Sequence, residues 1–124
     1  MTPNVTSCPS CHRTLRYERI HAGFSNLGYM YCDQDETVLT WDAYDPRYTR
    51  VIDKHPWMPD DDERASVEKA SRPCPFGGSF SFQNVPHCPN CGAELPTLAI
   101  EPVYLVVLGR RLDASKDSIW RDMG

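Results

Sequence analysis

Long apolar runs are missing from this chain of 124 residues. The longest, Val103 to Leu108, spans six residues, far short of the roughly 20 needed to cross a bilayer as a helix, so no membrane association is expected. A basic surplus is missing too. Thirteen Lys and Arg stand against seventeen Asp and Glu, a formal charge of −4, whereas general nucleic-acid binders carry positive charge that displaces counterions from phosphate. The opening Met-Thr-Pro-Asn-Val-Thr-Ser-Cys has neither the basic n-region nor the apolar h-region of a secretory signal. A cytoplasmic address is therefore expected, and the sequon Asn4-Val5-Thr6 is given no glycosylation meaning. His12, His21, His55 and His87 are scattered among loops and form no His-Glu-x-x-His, and no Gly-x-Ser-x-Gly occurs. The adjacent Asp60, Asp61, Asp62 and Glu63 read as the solvated start of a helix rather than a hydrolytic pair. Nothing here proposes a catalytic residue, and the chain is read as a non-enzyme.

What the chain has in excess is six Cys and eleven Pro. Thiols stay reduced in the cytosol, so two close Cys pairs plus two single Cys read as metal ligands before they read as disulfides. Frequent Pro and Gly require short, heavily punctuated elements. A strand is expected near Thr14 to Ile20, another around Tyr29-Met30-Tyr31 with both tyrosines on one face, and a third over Thr37 to Trp41, which is β-branched and aromatic. The last two flank Cys32-Asp33-Gln34-Asp35, making that stretch a metal turn between strands. Residues 42–73 carry no Cys, are broken by Pro46, Pro56 and Pro59, and end in a plausible short helix between Asp60 and Ser71. Its only apolar positions are Ala65, Val67 and Ala70, the narrow stripe of a mostly solvated helix. Beyond them, Phe80 and Phe82 alternate as in a short strand. Val103 to Leu108 is apolar on both faces, and Arg110 to Leu112 reads as a return strand. Ile119 and Trp120 are placed in a helical turn or edge that covers the sheet.

Cys88-Pro-Asn-Cys91-Gly92 and Cys8-Pro-Ser-Cys11-His12 are turns of the kind that point two sulfurs at one ion. Pro stiffens such a turn, and Gly permits the positive φ that follows the second ligand; His12 fills that place in the first turn. Two such turns make a closed tetrahedral zinc site, structural rather than catalytic, of the zinc-finger type. Sequential pairing joins Cys8 and Cys11 to Cys32 across 20 residues, and Cys74 to Cys88 and Cys91 across 13, both gaps suiting a hairpin. Each half then has three Cys. In the first, Asp35 follows Cys32 at the two-residue spacing, where a second Cys would be, and is the proposed fourth ligand ahead of Asp33. In the second, Phe76 and Gly77 cannot ligate, which leaves His87 or a vacancy. The rival pairing closes one four-cysteine site from Cys8, Cys11, Cys88 and Cys91, and leaves Cys32 and Cys74 as buried thiols. One or two Zn2+ ions are expected.

The succession Cys-Pro-x-Cys, Tyr-Cys-Asp, Cys-Pro-x-Gly-Gly-x-Phe and Cys-Pro-x-Cys-Gly resembles bacterial double zinc-ribbon proteins over about residues 8–95. The resemblance implies a first ribbon carried by Cys8, Cys11 and Cys32 and a second by Cys74, Cys88 and Cys91. The expected fold is accordingly small, β-rich and metal-bound. Its parts are a first zinc-ribbon half at 1–41, an acidic insertion with a short helix at 42–73, and a second half at 74–124 with a C-terminal strand pair. The expected function is a protein-interaction adaptor with an unidentified protein partner. Two other classes stay open. One is a nucleic-acid-binding ribbon using Arg13, Arg16, Arg19, Arg47, Arg50, Arg110 and Arg111, which the net charge does not favour. The other is a thiol redox or metal-dependent enzyme built on the Cys-Pro-x-Cys turns.

Overall fold

The computed structural model describes residues 4–21, 27–42, 45, 61–99 and 104–114. The linker prolines Pro46, Pro56 and Pro59, with Arg47, Arg50, His55, Asp60, Val103, Ile119 and Trp120, lie outside the described residues. Alternation shapes the first sheet. In β2 (Thr14–His21) Leu15 turns inward while Arg16 and Glu18 face solvent, the period-2 pattern of a half-buried strand. β1 (Asn4–Ser7) runs antiparallel to the start of β2, with Asn4 opposite Tyr17 and Ser7 opposite Thr14. The end of β2 pairs antiparallel with the apolar strand β6 (Tyr104–Val107), with Glu18 opposite Val107 and His21 opposite Tyr104. The order is β1-β2-β6.

The second sheet is built on a hairpin of β3 (Leu27–Cys32) and β4 (Val38–Asp42), in which Tyr31 faces Val38 and Leu27 faces Asp42. β5 (Phe80–Ser81) adds antiparallel to β3, and β7 (Arg111–Asp113) adds parallel to β4, giving the order β5-β3-β4-β7. Val38, Leu39, Thr40 and Trp41 are all buried, because β4 is covered on both faces. Leu39 and Trp41 point with Met30 toward Val67 and Ala70 of α1 (Asp61–Ala70). Val38 points with Tyr31 toward Leu105 of the first sheet. The buried Thr40 hydroxyl is satisfied, donating to the Leu112 carbonyl at 3.2 Å and accepting from Arg111 Nε at 3.0 Å. Two tyrosines tie the sheets together. The Val106 N–H donates to the Tyr31 hydroxyl at 2.9 Å, and the Tyr29 hydroxyl donates to the Tyr104 carbonyl at 3.1 Å.

Three expectations need correction. The C-terminal strands do not pair with each other. After Leu108-Gly109 the chain crosses from one sheet to the other, and the Val38 N–H donates to the Arg110 carbonyl at 3.0 Å as β7 aligns with β4. Phe82 lies past the end of β5, in a turn, where it packs edge-on against Trp41 with ring centroids 5.9 Å apart. The helix keeps the narrow buried stripe its composition implies, with Arg64, Ala65, Ser66 and Lys69 exposed, but Ala65 does not join that stripe. Val67 and Ala70 are fully buried, and Glu68 Oε1 accepts from the Ser81 hydroxyl at 2.8 Å and the Phe82 N–H at 2.9 Å.

Candidate metal centres

The turn between β1 and β2 carries Cys8 and Cys11. The Cys8 N–H donates to the Arg13 carbonyl and the His12 N–H to the Cys8 carbonyl, both at 2.9 Å. The Cys88 turn repeats this bond for bond, with Cys88 N–H to Ala93 and Gly92 N–H to Cys88, again at 2.9 Å. The residue after the second Cys has positive φ in each, +63° at His12 and +76° at Gly92. Glycine takes that conformation without steric cost, whereas the histidine carries a Cβ penalty. It is the one non-glycine residue with positive φ among the described residues.

The two turns face each other. Cys8 Sγ lies 3.6 Å from Cys91 Sγ, and Cys11 Sγ lies 3.8 Å from Cys88 Sγ. All four sulfurs lie within 4.8 Å of one another and could hold a metal ion. None of the six cysteines is in a disulfide. Leu15, Leu95, Leu98, Val106 and Leu108 pack beneath this centre. Cys8 and Cys88 are buried, and Cys91 is at the surface. The sulfurs share their charge unequally. A hydrogen bond from the Asn90 side chain, followed by the Arg13 backbone, brings the Cys11 thiol down to about 6. A backbone hydrogen bond from Cys11 lowers Cys8, more than burial raises it. Cys91 accepts from the Ala93 backbone, yet burial and the sulfurs of Cys8, Cys88 and Cys11 together push it up to about 12. A divalent ion would remove this mutual repulsion by accepting all four as thiolates.

The second group is Cys32, Asp35 and Cys74, whose ligand atoms also lie within 4.8 Å of one another. Cys32 ends β3 and opens a turn that shares part of this pattern, without positive φ at Glu36. Its N–H donates five residues on, to the Thr37 carbonyl at 3.0 Å, and the Gln34 N–H donates to Cys32 Sγ at 3.4 Å. The Asn90 N–H donates to Cys88 Sγ at the same 3.4 Å. Asp35 thus stands where a second Cys would. Its Oδ1 accepts from the Thr37 N–H at 2.8 Å, Cys74 Sγ lies 3.6 Å from Oδ2, and Arg110 Nη2 lies 3.7 Å from Oδ2. Burial would raise the Asp35 carboxyl, but hydrogen bonding from Thr37 and Cys74 and the charge of Arg110 hold it below the usual carboxylate range. Burial pushes Cys74 up to about 12, with Cys32 and Asp35 adding to the shift.

The Cys74 turn departs from the others. Its N–H closes onto the Gly78 carbonyl and the Gly77 N–H onto the Cys74 carbonyl, both at 3.0 Å, so the turn is one residue shorter. Gly77 and Gly78 have φ of +110° and +88°. Gly77 occupies the place of a second ligand and offers only its carbonyl, to which the Cys32 thiol donates at 3.1 Å. A Cβ on Gly78 would press on the Asp33 carboxylate and come within 2.9 Å of Cys32 Sγ.

The sequential pairing is therefore overturned. Cys8 and Cys11 meet Cys88 and Cys91 rather than Cys32, and Cys74 meets Cys32 and Asp35. Each centre draws one turn from either side of the insertion, because β2 pairs with β6 and β3 with β5. The grouping is that of the rival pairing, whose remaining thiols, Cys32 and Cys74, are buried and stand beside Asp35. His87 is buried and bridges to Glu94, and it belongs to neither group. Asp33 is taken up by the turn, its Oδ1 accepting from the Ser79 N–H at 2.8 Å. Sequence reasoning missed Arg110 as a neighbour of Asp35; the Glu36-Thr37 turn and the approach of β7 to β4 bring it there.

The fold and its two centres define a small two-sheet β-rich protein with Cys-rich groups that could hold metal. A family model described as a domain of unknown function (DUF8255) matches residues 4–97, and the chain belongs to that family. That stretch contains all six cysteines and Asp35. Neither the curated proteins nor the solved structures return a match. No described helix is long and apolar enough to cross a membrane.

Proposed function

We propose that this protein binds zinc structurally at Cys8, Cys11, Cys88 and Cys91 and acts as a protein-interaction adaptor without catalysis at that centre. One observation carries the zinc reading. A tetrahedron with Zn–S of about 2.3 Å has an edge of about 3.8 Å, and the sulfur pairs Cys8–Cys91 and Cys11–Cys88 lie 3.6 and 3.8 Å apart. Zinc accepts four thiolates without a redox change, and four protein ligands leave it no site for substrate. The likeness of the Cys turns to double zinc ribbons supports the same reading.

For the adaptor role the support is the surface, where Phe76 is 53% and Val5 56% exposed. Several arginines that nucleic-acid binding would need make contacts within the chain, although Arg19 and Arg111 remain exposed. Arg19 lies over Tyr17 and Tyr104, Arg110 over Phe76, and Arg111 on Thr40. Elemental analysis with native mass spectrometry is expected to find zinc at the four-cysteine centre; iron in its place would overturn the metal assignment. Affinity capture from the native host is expected to yield a protein that Phe76→Ser loses while keeping its zinc. Capture of DNA or RNA that weakens steeply with salt would overturn the adaptor reading.

A further inference from the structure

We propose that Cys32, Asp35 and Cys74 form a three-ligand metal site with one open coordination position beside Gly77, where the bound metal takes water or a small exogenous anion. The proposal rests on the reading that the Cys-rich groups hold metal, and goes beyond it in assigning the two centres different chemistry.

Three observations carry it. The first is the comparison of turns. Cys8, Cys32 and Cys88 each donate an N–H to the carbonyl five residues on, and the position after the two intervening residues is Cys11, Asp35 or Cys91. In the shortened fourth turn that position is Gly77, so the ligand set stops at three. Four protein ligands close a structural site, whereas three leave room for an exogenous one.

The second observation is access. Cys32 and Cys74 are buried, but Gln34, Phe76 and Gly77 on the rim are exposed. A Cβ built on Gly77 meets nothing closer than Gln34 Oε1 at 3.5 Å, so the space beside Gly77 is open. The Gly77 carbonyl is also an acceptor there. It accepts a hydrogen bond from the Cys32 thiol at 3.1 Å, and once metal binding makes that sulfur a thiolate, it is free to accept from a metal-bound water.

Charge is the third. A divalent ion with two thiolates and one carboxylate carries a net −1, against −2 for the same ion with four thiolates. The second ion is thus the stronger Lewis acid, because carboxylate donates less charge than sulfur. Arg110 stands over this corner, its guanidinium carbon 3.6 Å above the Phe76 ring and its Nε 3.3 Å from Glu36 Oε1. Its Nη2 lies 3.7 Å from Asp35 Oδ2 and its side chain is 37% exposed, so the positive charge, shared with the two carboxylates, offsets part of the site's negative charge and lowers the cost of an anionic ligand there.

The test uses the full chain loaded with cobalt(II), whose visible absorption reports coordination, with sodium azide as the probe. Native mass spectrometry is expected to count two metal ions per chain, and azide to change the spectrum of one of them in a saturable way. Asp35→Ala is expected to hold one ion and lose the azide response. Arg110→Ala is expected to keep two ions and weaken azide binding roughly 2–5-fold, the scale of a partly exposed charge. Two ions with no azide response would overturn the open position while leaving the metal reading intact. One ion in the wild-type chain would overturn the metal reading of this centre. An azide response that survives Asp35→Ala would place the open position elsewhere and also sink the proposal. The wild-type titration decides the matter even if Asp35→Ala does not fold.

Discussion

If Cys8 and Cys88 hold the same ion, their removal must be non-additive. A structural zinc site contributes about 10–16 kcal/mol at neutral pH, or about 2.5–4 kcal/mol for each of four thiolates. Cys8→Ser alone is therefore expected to weaken metal binding at the first centre by about 100–1,000-fold, and Cys88→Ser by a similar factor. Combined, they should fall well short of the product of the two, because an ion already stripped of one sulfur has less to lose with the next. Cys8→Ser with Cys32→Ser acts on two different ions and should show no such coupling. The assay is competition against a chromophoric chelator, with native mass spectrometry assigning stoichiometry. Coupling between Cys8 and Cys32, with additivity between Cys8 and Cys88, would restore the sequential pairing and refute the geometry.

The same magnitude sets the outcome of metal removal. A contribution on the order of ten kcal/mol is as large as the whole stability of an ordinary domain, about 5–15 kcal/mol. The first centre links turns 83 residues apart through Cys8 and Cys91, and the aliphatic core beneath it is only five residues of Leu and Val. Thorough chelation is expected to abolish the β-sheet circular dichroism signal. A spectrum unchanged after zinc is shown to be gone would contradict this.

Three substitutions probe the scaffold. Gly28 lies against the Trp41 indole, which a Cβ would overlap, so Gly28→Ala should cost about 1–3 kcal/mol in urea unfolding; a loss below a few tenths would show that Trp41 can move aside. Glu68→Ala leaves the Phe82 N–H and Ser81 hydroxyl without their acceptor and should cost about 1–3 kcal/mol, lowering the urea midpoint, and an unchanged midpoint would mean water replaces the carboxylate. Burial pushes the Tyr31 phenol from 10 up to about 12, so the folded state holds its proton more tightly than the unfolded state. Its stabilisation is whole below pH 10 and is lost as pH rises toward 12, about 3 kcal/mol in all. Tyr31→Phe should flatten that alkaline fall while costing about 1–3 kcal/mol at neutral pH through the unmet Val106 N–H; an alkaline slope equal to wild type would place the titrating group elsewhere.

What was legible in the sequence was local. The Cys-x-x-Cys turns, the positive φ at position 92, the placement of Asp35 and the strands flanking it depend on residues within a few positions of each other. Partner choice does not. Gaps of 20 and 13 residues both suit a hairpin, and the decision falls to contacts between distant strands, such as Arg19 opposite Val106 and Cys32 opposite Phe80. β1 was missed because its lone aliphatic residue, Val5, stays exposed, so the strand has no hydrophobic alternation and is held by its ladder to β2. The direction of β7 was hidden for the opposite reason. Gly109 after an apolar strand is the mark of a hairpin, but here it lets the chain pass Glu36, whose Cγ would stand 3.3 Å from a Cβ, and continue parallel to β4.

Both centres take one turn from before the insertion and one from after it, and this division of labour explains how a chain can carry so ligand-free a middle. With metal bound, the fold would be closed by two connections, one of four sulfurs at the β1–β2 turn and one of two sulfurs and a carboxylate at the end of the β3–β4 hairpin. α1 meets the second sheet through Val67, Ala70 and the Glu68 carboxylate, and none of its described residues belongs to either metal-ligand group. The same logic separates the centres in their tolerance of change. The first needs all four sulfurs for closure, and its matched turns leave no slack. In the second, a glycine already occupies a ligand position and a carboxylate replaces a thiolate, while the surrounding strands, helix and arginine hold the turn in place. A site relieved of structural duty in this way can leave a coordination position open, and Gly77 marks where it lies.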